Sequence, residues 1–132
     1  MRRILNPSLA ILVALVACSP AEGPESIAQR FVEQYYVHPD LPKVKALTYG
    51  LAHHKIEEEQ RLIQSVAGRV GRAEREVTYN LHQTQKMGED KIFFVYDITI
   101  SVDPLVMRKR ATVATGRVKG GWRVTNFEES DI

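Results

Sequence analysis

The chain holds one cysteine and one tryptophan in 132 residues. A lone Cys18 excludes an internal disulfide and a thiolate cluster for a metal, although an exported chain would be free to form disulfides. Long apolar runs are missing too. The run from Leu9 to Ala17 would span only roughly 14 Å as a helix, about half a hydrocarbon core, which argues against a permanent transmembrane helix. Catalytic signatures are also lacking: there is no Gly-x-Ser-x-Gly elbow, no Gly-x-x-x-x-Gly-Lys phosphate loop, no Cys-x-x-Cys pair and no His-Glu-x-x-His. Nor is there an excess of one charge. The formal charge of +2 comes from 18 basic and 16 acidic residues, and two of the basic ones, Arg2 and Arg3, precede the apolar run. If that segment is removed the remainder is neutral, with little to offset a run of phosphates, so nucleic acid is not an expected partner. No metal and no cofactor are expected either.

What is abundant is apolar surface. At 44% hydrophobic and 26% charged, the chain has the composition of a globular protein, and its length suits one core.

Arg2, Arg3 and the apolar run form a secretory leader pattern. Leu15-Val16-Ala17-Cys18 then resembles the bacterial lipobox, in which an aliphatic residue, a small or aliphatic residue, and Ala or Gly precede the cysteine. The resemblance implies cleavage between Ala17 and Cys18, a diacylglyceryl thioether on Cys18, and acylation of its new amine in many bacteria. Two or three acyl chains anchor stably where one does so marginally. Residues 1–17 are accordingly expected to be removed, 18–24 to form a lipidated cysteine with a short linker, and 25–132 to fold as one domain. Ser19-Pro20-Ala21-Glu22-Gly23-Pro24 is made of turn and breaker residues and reaches at most about 20 Å. The expected membrane partner is therefore lipid through acylated Cys18, in a bacterial cell envelope. Under the sorting rule of some Gram-negative bacteria, Ser19 points to the outer membrane.

The domain opens with a helix from Pro24, complemented by Glu25, on which Ile27, Phe31 and Tyr35 recur every fourth residue. His38-Pro39-Asp40 ends it and Pro42 restarts one. A second helical region from Lys43 to Ala67 has Gly50 as its break and Leu47, Leu51, Ile56, Ile63 and Val66 as core candidates, and residues 69–75 read as a loop. The period then changes to two. Glu76 to Lys86 and Lys91 to Asp103 predict an antiparallel hairpin, with Ile92, Phe94, Tyr96, Ile98, Ile100 and Val102 on one apolar face. Strands near Arg108–Lys119 and Trp122–Glu128 complete a four-stranded meander. On the third strand, Ala111 and Val113 alternate with Thr112 and Ala114 with no clear winner for the inner face. Helices followed by an antiparallel sheet make an α+β domain in which the helices cover the apolar face.

The segments Ile27-Ala28-Gln29-Arg30-Phe31-Val32-Glu33-Gln34-Tyr35-Tyr36 and Gly120-Gly121-Trp122-Arg123-Val124-Thr125-Asn126-Phe127 resemble the nuclear transport factor two-like superfamily. The resemblance spans about residues 25 to 129. It implies N-terminal helices packed on a curved four-stranded antiparallel sheet, a cystatin-like cone. The superfamily hosts enzymes, carriers and domains without known activity, so the fold does not decide function.

Phe31, Tyr35, Phe94, Tyr96 and Trp122 are the residues expected to line a pocket or fill the core of that cone. A filled cone suits a noncatalytic binding or interaction domain whose partner is an envelope protein or a small apolar ligand. An open one suits a ketosteroid-isomerase-like enzyme, which needs a carboxylate facing the cavity. No catalytic residue is singled out. Asp97 falls on the face opposite Phe94 and Tyr96 and reads as a carboxylate in water, and Asp40 reads as a helix cap rather than an acid paired with Tyr36. His53 and His54 with Glu57 and Glu58 offer i,i+4 pairs, but only distant His82 could supply a third metal ligand, so a solvated helix face is the expectation. Arg108-Lys109-Arg110 reads as an exposed strand start that discourages edge pairing, with anionic lipid as the alternative partner.

Overall fold

The computed structural model describes residues 22–66 and 74–132. The leader, the Ala17–Cys18 junction, most of the linker, most of the loop at 69–75 and the side chain of Val66 lie outside the described residues.

Helix α1 (Pro24–Val32) begins where Pro24, which has no N–H to leave unpaired, meets Gly23, whose carbonyl accepts from Ile27 N at 3.1 Å. It buries Ile27, Ala28, Phe31 and Val32 on one face. The sequence pattern suggests one regular helix up to Val37, but the last turn (Glu33–Val37) is a π-turn, closed by His38 N donating to the Glu33 carbonyl at 2.8 Å. The wider turn lets two consecutive side chains, Tyr35 and Tyr36, face the protein. Asp40 then caps α2 (Leu41–Ala46), its Oδ1 accepting from Lys43 N at 3.2 Å.

The connection to α3 (Leu51–Val66) turns through Gly50, at φ +65°, a conformation that disfavours a Cβ. It also runs along the edge of the last strand: Thr48 forms a parallel bridge with Val124, Tyr49 N donates to the Val124 carbonyl at 2.9 Å, and Val124 N donates to the Leu47 carbonyl at 2.8 Å. This docking fixes the phase of α3. Ala52 and Ile56, one helical turn apart, face the core, whereas Leu51 and Ile63 are 53% and 48% exposed. The expectation that those two belong to the core is thus corrected; Val44 and Ala52 fill the space instead.

The sheet is the meander β1 (Glu76–Lys86), β2 (Lys91–Val102), β3 (Leu105–Val118) and β4 (Gly121–Asp131), antiparallel throughout and in that spatial order. On β2, Ile92, Phe94, Tyr96, Ile98 and Ile100 are buried beneath the helices. Residues paired across strands share a face, so Phe94 opposite Val113 and Tyr96 opposite Ala111 settle the inner face of β3. Two register shifts interrupt the ladders, one at His82 on β1 and one at Thr125 on β4. Thr115 is buried without cost in hydrogen bonding, since its hydroxyl donates to the Ile92 carbonyl at 2.9 Å.

Candidate functional site

The five aromatic positions of interest divide into three groups. Phe31, Phe94 and Tyr96 are buried to within 2% of their surface and form part of one apolar cluster with Ile27, Ile56, Ile98 and Val113. Tyr35 stacks on Phe31, with ring centroids 5.4 Å apart and planes 8° from parallel, but it is only partly covered. Trp122 is also partly covered and packs against the cluster from the Gly120-Gly121 end of the sheet, beside Ile27 and Leu47, with the Arg117 guanidinium 4.9 Å above its ring. Phe127, which the sequence did not single out, joins Phe31 and Tyr35 at 5.0 and 5.3 Å.

The polar chemistry gathers where the π-turn meets the other end of the sheet. Tyr35 Oη donates to Glu59 Oε2 of α3 at 2.8 Å, and Tyr36 Oη donates to Glu129 Oε2 of β4 at 2.6 Å. The two rings meet edge to face at 4.8 Å. Lys109 bonds Glu129 Oε1 at 3.2 Å and Arg75 donates to the Tyr36 carbonyl at 3.2 Å. These groups rim an open cleft of about 480 Å³ whose apolar lining includes Leu41, Ile63, Ile100, Val102 and Met107. Exposed Ile63 of α3 and Met107 of β3 are among the residues lining it. Nothing local in the sequence signals it, because Tyr36 and Glu129 are 93 positions apart.

Burial raises the pKa of both phenols, and the hydrogen bonds to Glu59 and Glu129 raise them further, because each bond would be lost if the phenol ionised beside a carboxylate. Both hydroxyls therefore remain protonated donors at neutral pH. Deeper in the sheet, burial pushes Tyr96 up to about 12.

The remaining candidates lie elsewhere. Asp97 is on the outer sheet face, but it is not a carboxylate in free water as the strand alternation suggests: Arg110 Nε bonds Oδ1 at 2.9 Å, His82 Nδ1 is 3.6 Å from Oδ2, and the side chain is 19% exposed. The bond from Arg110 holds its carboxyl below the usual range. His53 bridges Glu57 at 2.8 Å and Thr48 Oγ1 at 3.2 Å, while His82 is engaged at Asp97, so the histidines do not converge. Among the described residues no three His, Cys, Asp or Glu side chains are grouped as a metal would require. In the Arg108-Lys109-Arg110 run, Lys109 pairs with Glu129 and Asp131 and Arg110 with Asp97.

No family model and no curated protein sequence matches the chain. Solved structures do. A ketosteroid isomerase-like protein from Erwinia carotovora atroseptica superposes with a TM-score of 0.59 at 12% identity, covering 83% of this chain and 93% of the other. A domain of unknown function with a cystatin-like fold from Nostoc punctiforme gives 0.58 at 9% identity, covering 83% and 77%. The VirB8 protein of Agrobacterium tumefaciens gives 0.52 at 14% identity, covering 86% and 96%. At such identities the likeness shows the fold: helices on an open four-stranded antiparallel sheet, of the nuclear transport factor two-like, cystatin-like kind.

Proposed function

We propose that this chain is a cell-envelope lipoprotein, tethered through acylated Cys18, whose domain binds a partner or small apolar ligand at the Tyr35–Tyr36 cleft without transforming it. One observation carries the binding reading. Among the described residues no Asp or Glu is buried, so the apolar interior presents no carboxylate to act as a base. The two carboxylates at the cleft are each engaged by a tyrosine hydroxyl, and those phenols are pushed away from ionisation at neutral pH. Such a site supplies apolar surface and fixed polar markers, which suits recognition.

Ketosteroid-isomerase-like chemistry is the second reading, favoured by the tyrosine–glutamate pairs, since a ligand that displaced one hydroxyl from its glutamate would face both a proton donor and a carboxylate. Paired substitutions separate the two. Tyr36→Phe and Glu129→Gln should weaken binding of an apolar probe such as a fluorescent naphthalene sulfonate, while turnover of an unsaturated ketone stays at the background rate for wild type. Turnover by the wild type that Glu59→Gln or Glu129→Gln abolishes would replace binding with catalysis. The tether is tested separately by labelled fatty acid, which the wild type should incorporate in a bacterial host and Cys18→Ser should not.

A further inference from the structure

The chain enters the domain at one end of the sheet and the cleft opens at the other. Glu22, the first described residue, lies beside Gly121, Trp122 and Arg123. The β1–β2 turn shares that end, since Arg117 N donates to the Asp90 carbonyl at 3.0 Å. The β2–β3 turn, beside Arg75, is at the opposite end, roughly 40 Å away along the fourteen residues of β3; Glu129, opposite Ala111, lies roughly 20 Å from Trp122, and the cleft runs from it toward that turn through Lys109 and Met107.

Charge follows the same axis. At the entry end Lys86, Lys91, Lys119 and Arg123 have no carboxylate partner among the described residues, against two unpaired carboxylates, Glu25 and Glu89. The other acids there are held: Glu22 by Arg30, and Asp90 by Arg117 at 3.2 Å. Lys91 lies over the Phe93 ring, and Arg123 donates only to the Trp122 carbonyl. The cleft end reverses the sign, with Glu74, Glu76, Asp103, Glu129 and Asp131 against Arg75, Arg108 and Lys109. In the basic run that stands out in the sequence, Lys109 and Arg110 are therefore ion-paired and Arg108 lies among the acids of the far end, while the four cations of the entry end are scattered along the chain and only the fold brings them together.

We propose that the entry end of the domain docks on an anionic bilayer surface, with Lys86, Lys91, Lys119 and Arg123 facing lipid headgroups and Trp122 and the exposed Met87 at the contact. The proposal rests on the tether reading for its geometry. Cys18 is four residues before Glu22, so a lipid there holds this end within about 14 Å of the bilayer. That is the fully extended limit; a slack linker brings the cations within the Debye length of about 8 to 10 Å at physiological salt, where they sense the surface. Each basic residue near an anionic leaflet raises partitioning roughly five-fold. An aromatic side chain with a polar edge suits the headgroup level. The acidic end and the cleft then point away from the membrane, toward whatever the cleft recognises.

Trp122 is the sole tryptophan of the chain and so reports on this contact directly. The lipidated protein, isolated from host membranes, is reconstituted into phosphatidylcholine vesicles with and without phosphatidylglycerol, both carrying a nitroxide at headgroup depth. Tryptophan emission should be quenched in the phosphatidylglycerol vesicles, and added salt should reverse the quenching. The variant Lys86→Gln/Lys91→Gln/Lys119→Gln/Arg123→Gln should lose it and, as an unlipidated Cys18→Ser chain, should bind phosphatidylglycerol vesicles at least roughly ten-fold more weakly than Cys18→Ser alone. Quenching that is the same in both vesicle types, or that survives in the four-residue variant, would overturn docking while leaving the tether intact. Failure to incorporate labelled fatty acid would instead overturn the tether, and the salt-sensitive binding of the Cys18→Ser chain would then decide docking by itself.

Discussion

The Tyr36 hydroxyl donates at 2.6 Å to Glu129 Oε2, joining the π-turn that ends the first helix to the last strand across 93 residues. A hydrogen bond to an ionised acceptor contributes more than a neutral one, but Glu129 keeps Lys109 as a second partner. Tyr36→Phe should therefore cost about 1 to 2 kcal/mol in denaturant unfolding, with an unchanged denaturant slope. Tyr36→Phe in a Glu129→Gln background should cost measurably less. Equal costs in the two backgrounds would mean that the pair contributes no coupling energy.

Alkaline stability follows from the same phenols. Tyr35, Tyr36 and Tyr96 all have native pKa values raised above the ordinary 10, Tyr96 to about 12, with burial the first cause in each. A raised native pKa means that the folded state holds its protons longer than the unfolded state does. The stabilisation is fully present below pH 10 and is lost as pH climbs through the native values. Unfolding free energy should fall from about pH 10 upward, and absorbance at the phenolate band should show these tyrosines ionising only as the protein unfolds. Reversible ionisation of all five tyrosines near pH 10 in a folded protein would contradict the buried pairs.

Phe94 lies at the centre of the inner sheet face, opposite Val113 and 2% exposed. Phe94→Ala removes most of a ring from a packed interior and should cost roughly 3 to 5 kcal/mol. Chemical denaturation measures this directly; a nearly unchanged midpoint would indicate that the space is not packed around the ring.

Gly50 at φ +65° has open space around its missing Cβ, so Gly50→Ala isolates backbone strain from steric overlap. The expected cost is roughly 1 to 2 kcal/mol. Gly50→Asn should recover part of it, because Asn visits the left-handed region more readily.

Legibility in the sequence followed the range of the interactions. The alternation in β2 named its buried face residue by residue, because the strand lies under helices on one side only, and the β1 bounds came from where its own alternation starts at Glu76 and where the Gly88-Glu89-Asp90 turn follows Lys86. Leu51 and Ile63 misled because apolar spacing on α3 admits more than one face. The face actually used is set by the bridge from Thr48 to Val124, a contact between residues 76 positions apart. The inner face of β3 was ambiguous for a related reason: both Val113 and Ala114 are buried, one beneath the helices and the other between Phe93 and Asn126 on the outer face. The cleft was not legible. Its polar members, Glu59 and Glu129, look like any surface glutamates until the fold brings a tyrosine to each, and the π-turn that aims both tyrosines leaves no mark in the apolar spacing.

The two outer strands differ in what they offer to another chain. From Val124 to Phe127 the free side of β4 is already occupied by the 47–49 segment and by Lys55, whose Nζ donates to the Phe127 carbonyl at 2.8 Å. The free side of β1 is broken at His82, where the register shift kinks the strand. Neither border presents a straight ladder much longer than six residues, about the least that a cross-β stack needs to grow. If the domain is tethered by lipid as proposed, it is confined to two dimensions, where neighbours collide often, and short, interrupted sheet borders are the feature that discourages edge-to-edge pairing under such crowding.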